Sequence, residues 1–321
     1  MTDVIEVEVR PRFPVRLPRR VGGDGVTKLR EGVLERLLHV GPCPVRVRSW
    51  HVPTGIRIRA ESLEPRLAIH FDHSFECRPA GEEQLEVAIE RMRFALGLDD
   101  DMGEFFRAFK QDRLIGPAIK RRPWTRPRRR TWPWEALAWA ITEQLIEASR
   151  AAVIQRRIVR RWGPKAAPGR KSDRPLMDVP SPELIAGRAP AELVSMDLTE
   201  ARALALVRCA REVAAGRADL DDPASDRRLL AIREIGPWTV QCLGHYGRGD
   251  PDSLPAGDLA YVKLVGHLAG LGRRATPEEV EEYFAPYAPF RALAGSFALI
   301  GWGKQAAQGP PLGQAPDQLA A

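Results

Sequence analysis

The sequence predicts two unlike halves, an α+β half built on an antiparallel sheet and then an all-α half. Three observations carry this. Before residue 80 apolar residues alternate with polar ones, the period of a half-buried strand. Beyond residue 132 they recur every three or four positions, the period of a helix with one buried face. Helix-start signals, a small polar residue followed by Pro, recur in that second half. The expected division is an α+β domain over 1–115, an all-helical domain over 116–303 and a disordered Gln/Pro/Ala/Gly-rich tail over 304–321.

Taken in order, Ile5, Val7 and Val9 alternate with charged neighbours, as do Val45 with Val47 and Ile56 with Ile58; each trio or pair reads as a strand. Residues 29–38 place leucines at helical spacing and read as a helix. Leu67, Ile69, Phe71, Phe75 and Cys77 alternate again. Leu85, Ile89, Met92 and Leu96 then mark a helix over 82–98, and Met102, Phe105, Phe106 and Phe109 mark a second apolar face. In the second half, Leu137, Ile141, Leu145, Ala148 and Ala152 run along a helical segment over 134–162, broken near Glu143-Gln144. Residues 163–180 form a Pro/Gly/Lys-rich loop. Ser181-Pro182, Asp222-Pro223 and Thr276-Pro277-Glu278-Glu279 start helices, the last with a capping box, and Gly216 closes a longer helix over 199–215.

Bulk properties narrow the function classes. The 321 residues carry a formal charge of +7, which raises the prior for an anionic partner without fixing one. No apolar run reaches membrane-spanning length and the first residues lack the pattern of a signal peptide, so a soluble, cytoplasmic protein is expected, at the nucleoid when bound to DNA. The four cysteines, Cys43, Cys77, Cys209 and Cys242, are far apart, which excludes a zinc ribbon and gives no support to a disulfide framework. His70, His73 and Cys77 look like metal ligands at first, but strand alternation puts His70 across the sheet from the other two, so they read as structural. The run over 120–130 holds seven basic residues in eleven and is either a solvated linker or a phosphate contact.

The chemistry-bearing stretch lies over 229–266. Leu229-Leu230-Ala231-Ile232 ends one helix, Arg233-Glu234-Ile235-Gly236-Pro237 is a tight turn, and Trp238-Thr239-Val240-Gln241-Cys242 opens another. A short hairpin between helices points amides outward at a helix N-terminus, where the helix dipole also favours an anion such as a phosphate. Leu254-Pro255-Ala256-Gly257-Asp258-Leu259 follows, with an Asp at the start of a further helix. By spacing alone Asp258 is an ordinary N-cap, and Trp238 and Leu145 are core residues.

Ile-Gly-x-Trp-Thr followed by Leu-Pro-x-x-Asp-Leu resembles the helix-hairpin-helix/Gly-Pro-Asp superfamily of base-excision DNA glycosylases, and within it the 3-methyladenine DNA glycosylase II group. The resemblance covers 132–303 and includes Ile141-Thr142-Glu143-Gln144-Leu145 and Ser181-Pro182-Glu183-Leu184. It implies a helix-hairpin-helix glycosylase domain and a monomer without cofactor or metal, acting on double-stranded DNA containing a damaged base and not on a membrane. Asp258 is then the catalytic carboxylate, stabilising oxocarbenium character on the sugar and orienting the attacking water. Trp238 takes the place of a Schiff-base lysine and implies a monofunctional enzyme, because indole forms no imine. Trp238, Cys242 and Leu299 would line the base pocket. Gln144 and Leu145 would enter the minor groove to fill the gap left by a flipped base, while Ile235, Gly236, Pro237 and Thr239 would hold the backbone.

Three positions depart from the pattern. Glu234 replaces the first hairpin glycine, adds a negative charge near the phosphate site and leaves only Gly236 for a positive φ. Cys242 and Leu299 stand where alkylpurine enzymes carry further aromatics, which leaves the lesion open; Tyr246, Trp302 or Trp139 could compensate. The iron–sulfur loop of some relatives, with its closely spaced cysteines near the C-terminus, has no counterpart. A damaged, alkylated purine is the expected substrate, attracted by cation–π contact. The alternatives are an oxidised-base glycosylase/lyase and a non-catalytic DNA-binding protein.

Overall fold

The computed structural model describes residues 3–63, 68–69, 78–166 and 175–305. The first part is a five-stranded antiparallel sheet of order β1-β5-β4-β3-β2, made by β1 (Val4–Val9), β2 (Thr27–Arg30), β3 (Val33–Val40), β4 (Cys43–Val52) and β5 (Gly55–Ser62). The alternating residues do what their period requires: Val45, Val47, Ile56, Ile58 and Ala60 are all buried, against Leu85, Ala88, Ile89 and Met92 of α1 (Glu82–Leu96). A two-residue strand β6 (Ala68–Ile69) follows β5. The rest of the segment over 67–77, with His70, His73 and Cys77, lies outside the described residues, as does the tail beyond residue 305.

The helical reading of residues 29–38 is wrong. They form β2 and β3, joined by a turn in which Glu31 and Gly32 both take positive φ. Leu34, Leu37 and Leu38 mimic helical spacing because β3 is buried from two sides. Leu34 and Leu38 join the core under α1, whereas Leu37 packs with Leu63, Ala166 and Leu176. The helical half also keeps some strand: β7 (Lys165–Ala166) pairs with β6 on one side and with β8 (Leu176–Met177) on the other, in a small antiparallel sheet.

The helices sort into two further cores. The short α2 (Gly103–Phe109) and α3 (Gly116–Arg121) join α11 (Leu259–Leu268), α12 (Pro277–Phe284) and α13 (Arg291–Gln305), with Phe105 stacked on Phe297 at 5.4 Å between centroids. The other core gathers α4 (Pro133–Glu143), α5 (Ala148–Trp162), α6 (Pro182–Ala186), α7 (Pro190–Val194), α8 (Glu200–Ala214), α9 (Asp226–Leu230) and α10 (Pro237–Cys242). At its centre α4 is buried over the whole stretch 134–142, as expected of a helix apolar on every side. The capping signals act as read: Ser181, Asp222 and Thr276 each accept a backbone N–H, and Thr276 with Glu279 closes a capping box.

A buried charge network ties sheet to helices. Arg36 on β3 donates to Glu135 of α4 at 2.7 Å and lies 3.6 Å from Asp178, all three nearly inaccessible. Arg130 lies 3.1 Å from buried Asp24, 3.5 Å from Glu135 and 3.8 Å from Glu143. Three of the seven basic residues of the run, Arg126, Arg129 and Arg130, are thus drawn inward by acids. Arg126 and Arg129 close on Asp100 at 3.7 and 2.6 Å, and Arg16 stacks on Trp124 at 3.4 Å, while Arg121, Arg122 and Arg128 stay exposed.

Candidate active site

Asp258 stands where the α10 and α11 cores meet. The Leu254-Pro255-Ala256-Gly257 turn ends with the Asp258 amide bonded to the Pro255 carbonyl at 2.9 Å. With φ −64° and ψ 136°, Asp258 caps α11: its Oδ1 accepts from Ala260 N at 2.8 Å and its carbonyl accepts from Val262 N. One carboxylate oxygen therefore fixes the rotamer, and the other makes no hydrogen bond among the described residues. Gln241 of α10 braces the turn from behind. Its Oε1 accepts from Ala256 N at 3.2 Å, and its Nε2 donates to Glu281 of α12 at 2.9 Å.

Trp238, at the start of α10, reaches this turn. A methyl group placed on Gly257 would stand 3.7 Å from its Cβ and Cδ1, so the indole borders the residue preceding Asp258. Its Nε1 is buried without a hydrogen-bond partner among the described residues. Cys242 is buried behind it, at the point where α10 passes into a π-helical turn over Leu243–Arg248. Burial, and then the charges of Glu143 and Asp258, push the Cys242 thiol well up. The Tyr246 phenol is raised by burial first and then by Tyr261, Cys242, Asp258 and Glu143. These mutual effects put Glu143, Cys242, Tyr246, Tyr261 and Asp258 in one electrostatic neighbourhood. Glu143, Gln241 and Tyr261 were not singled out from sequence; an acid in the Gln-Leu turn was the one visible sign. Leu299 is half-buried on α13 with the α11–α13 core, as is Trp302, and Trp139 is fully buried with its Nε1 donating to Asp24.

The break between α4 and α5 is a tight turn with Leu145 at its tip, at φ +54° and 104% exposed. A branched apolar side chain held in the left-handed region and bare to water is costly on both counts. The turn is nonetheless held from two sides. Gln144 Nε2 donates to the Glu234 carbonyl at 2.8 Å and to Thr239 Oγ1 at 3.0 Å. Arg202 of α8 donates to the carbonyls of Thr142 and Gln144 at 3.2 and 3.1 Å.

Gln144 thereby joins the Leu145 turn to the α9–α10 hairpin. In that hairpin Ile235 is buried as an anchor, Gly236 and Pro237 face outward, and the Gly236 and Trp238 amides donate to no backbone carbonyl among the described residues. Thr239 turns inward, 1% exposed, so its hydroxyl serves Gln144. The expectation that Gly236 supplies the positive φ is overturned: Glu234 takes it, at +73°, and Gly236 is extended at φ −108° and ψ 178°. The left-handed residue falls at 234, in the reversal itself, where it exposes the Glu234 carbonyl to Gln144.

No family model matches the chain. It is 22% identical over 225 residues to the DNA-3-methyladenine glycosylase of Bacillus subtilis, covering 68% of this chain and 73% of that protein. It is 27% identical over 219 residues to the probable bifunctional transcriptional activator/DNA repair enzyme AlkA of Mycobacterium tuberculosis, covering 65% of this chain and 42% of that protein. Among solved structures, a 3-methyladenine DNA-glycosylase from Archaeoglobus fulgidus superposes with a TM-score of 0.74 at 19% identity, over 94% of this chain and 98% of that one. That last likeness establishes a shared fold. Among the described residues no helix is long and apolar enough to cross a membrane.

Proposed function

From its place in the helix-hairpin-helix superfamily of base-excision DNA glycosylases, we propose that this chain hydrolyses the N-glycosidic bond of damaged, alkylated purines in duplex DNA. The observation that carries the reading is the linkage of three parts through one hairpin. Gln144 ties the exposed Leu145 turn to the hairpin, and Trp238 of the same hairpin borders Asp258. Each part answers one need of the reaction.

Leu145 is the wedge that fills the stack when the damaged base is flipped out, and its rigid turn costs no further ordering on entry. The outward face of the hairpin at Gly236 and Pro237 meets the DNA backbone through the Gly236 and Trp238 amides and the positive end of α10, while buried Ile235 anchors the hairpin and Thr239 holds Gln144 from inside. Trp238 and Cys242, with Leu299 at the far wall, bound the base pocket, where the indole attracts a cationic alkylpurine through its π-face. The free oxygen of Asp258 faces the sugar as C1′ becomes electron-poor, stabilises that charge and orients the attacking water. With Trp238 in the position of an imine-forming lysine, the reaction ends at hydrolysis. The same proposal has the chain act as a monomer, with 1–115 as an α+β domain and 116–303 as the helix-hairpin-helix glycosylase domain.

Asp258→Asn tests this directly. Asparagine caps a helix as well as aspartate, so the variant should keep its fold. Release of free base from a methylated duplex should fall by about 10²–10³-fold, the usual scale for losing one electrostatic stabiliser. Equal excision by a folded Asn variant would remove Asp258 from the mechanism.

A further inference from the structure

Glu143 is a carboxylate at this site that the mechanism above leaves unused. It ends α4 and begins the turn that carries Leu145. Its Oε1 accepts from Gln155 Nε2 at 3.0 Å and lies 3.8 Å from Arg130 Nη2. Gln155 is itself fixed by a second bond to Thr142 Oγ1 at 3.0 Å. Oε2 has no hydrogen-bond partner among the described residues, and the side chain keeps 35% of its surface open. One oxygen is therefore clamped and the other is open, on the turn that the neighbouring Gln144 bonds to the hairpin whose Trp238 borders the Gly257-Asp258 turn.

On the glycosylase reading above, we propose that Glu143 is a second catalytic carboxyl, one that protonates a neutral damaged purine as its glycosidic bond breaks. A cationic alkylpurine leaves as a neutral molecule and needs no proton. A neutral purine, deaminated or oxidised, would leave as an anion, and its barrier falls when an acid meets it. In the step, the C1′–N9 bond breaks with its electron pair moving into the purine, and the Glu143 carboxyl proton goes to a ring nitrogen of the base. Water adds to C1′ and gives its proton to Asp258, and exchange with solvent returns both carboxyls to their starting states.

The surroundings keep such an acid protonated to higher pH than usual. Burial pushes the Glu143 carboxyl up, and the charges of Asp24 and Asp258 add to this, while Arg130 and the bond from Gln155 oppose it. Cys242 and Tyr246 are pushed up in turn and bring no charge of their own. A raised carboxyl acts as a general acid below its pKa and fails as pH rises through it.

The test is single-turnover base release by the full chain from two duplexes, one carrying 7-methylguanine and one carrying hypoxanthine. Wild type, Glu143→Gln and Glu143→Asp are compared across pH, with thermal melts to confirm folding. Glu143→Gln should lower hypoxanthine release at least 100-fold more than 7-methylguanine release, and Glu143→Asp should restore part of it. The wild-type hypoxanthine rate should fall with rising pH, a limb absent for 7-methylguanine and for Glu143→Gln. Equal loss on both substrates, survival of that limb in Glu143→Gln, or wild-type release of 7-methylguanine alone would each overturn the proposal. Release of neither base by wild type would instead overturn the glycosylase reading, and this one with it.

Discussion

Replacing Glu234 by glycine should make the protein more stable, although it removes a side chain at the surface of the hairpin. A left-handed backbone at a residue with a Cβ costs about 1–2 kcal/mol, and Glu234 sits there at φ +73°. Glycine relieves that strain and gives back roughly 0.5–1 kcal/mol through its freedom in the unfolded chain. Little else is lost. The Glu234–Arg233 ion pair, 3.6 Å long, joins two exposed groups, and such pairs amount to about 0–1 kcal/mol. The bond from Gln144 goes to the carbonyl and survives the change. The net expectation is a gain of about 0.5–1 kcal/mol. It would be read as a higher urea midpoint at unchanged slope. Gly236→Ala provides the counterpart. Its backbone is extended and a Cβ there meets no atom within 4 Å, so alanine should be neutral or stabilising by about 0.4–1 kcal/mol. Duplex affinity should move the other way in the two variants. Glu234→Gly removes a negative charge and should tighten binding most at low salt, while Gly236→Ala puts a methyl group on the face that meets the backbone. A destabilised Glu234→Gly together with a Gly236→Ala that loses more than about 1 kcal/mol would refute the assignment of the left-handed position.

Three further expectations follow from the same geometry. Leu145→Ala removes no buried surface and should leave stability within about 0.5 kcal/mol, yet base release from duplex should drop about 10–100-fold, the worth of one apolar side chain buried in the stack; an unchanged rate would deny Leu145 the wedge role. Arg36→Met should destabilise the fold by about 3–5 kcal/mol, because Glu135 and Asp178 stay buried without their shared counter-charge, and a urea midpoint near wild type would contradict it. Burial pushes the His245 imidazole down to about 4. It is neutral in the fold, so its contribution is complete above its unfolded value near 6.5 and is lost as pH falls from there to about 4, by up to roughly 3 kcal/mol; His245→Phe should flatten that acid slope in equilibrium unfolding, and an identical slope would refute the attribution.

What could be read from sequence was what repeats or stands at an element's end. Val45, Val47, Ile56 and Ile58 announced their strands because one face of the sheet is covered. The caps at Ser181 and Thr276 announced theirs because each satisfies a local amide. β3 was misread because burial from two sides erases the alternation that strand recognition relies on. Asp258 and the hairpin were legible as motifs, but Glu143, Gln155, Arg130 and Gln241 were not. Their roles are set by partners on other elements: Gln155 reaches Glu143 from α5, and Gln241 reaches Glu281 on α12. The swap of left-handed duty from Gly236 to Glu234 was hidden for a related reason. Residue type biases φ, but the bond from Gln144 to the Glu234 carbonyl belongs to the folded chain.

The arginines that join sheet to helices also bear on how this architecture can be inherited. Two domains can be drawn on the chain, yet α4 keeps Glu135 on a side where Arg36, from β3, answers it. Arg130, which steadies Glu143, is itself held by Asp24 from the segment between β1 and β2. The helical part is therefore not a cassette that could be cut out, recombined onto another sheet or expressed alone with its pocket intact. Any transplant would have to carry Arg36 and Asp24 with it, so the unit that can be passed on is sheet and helices together.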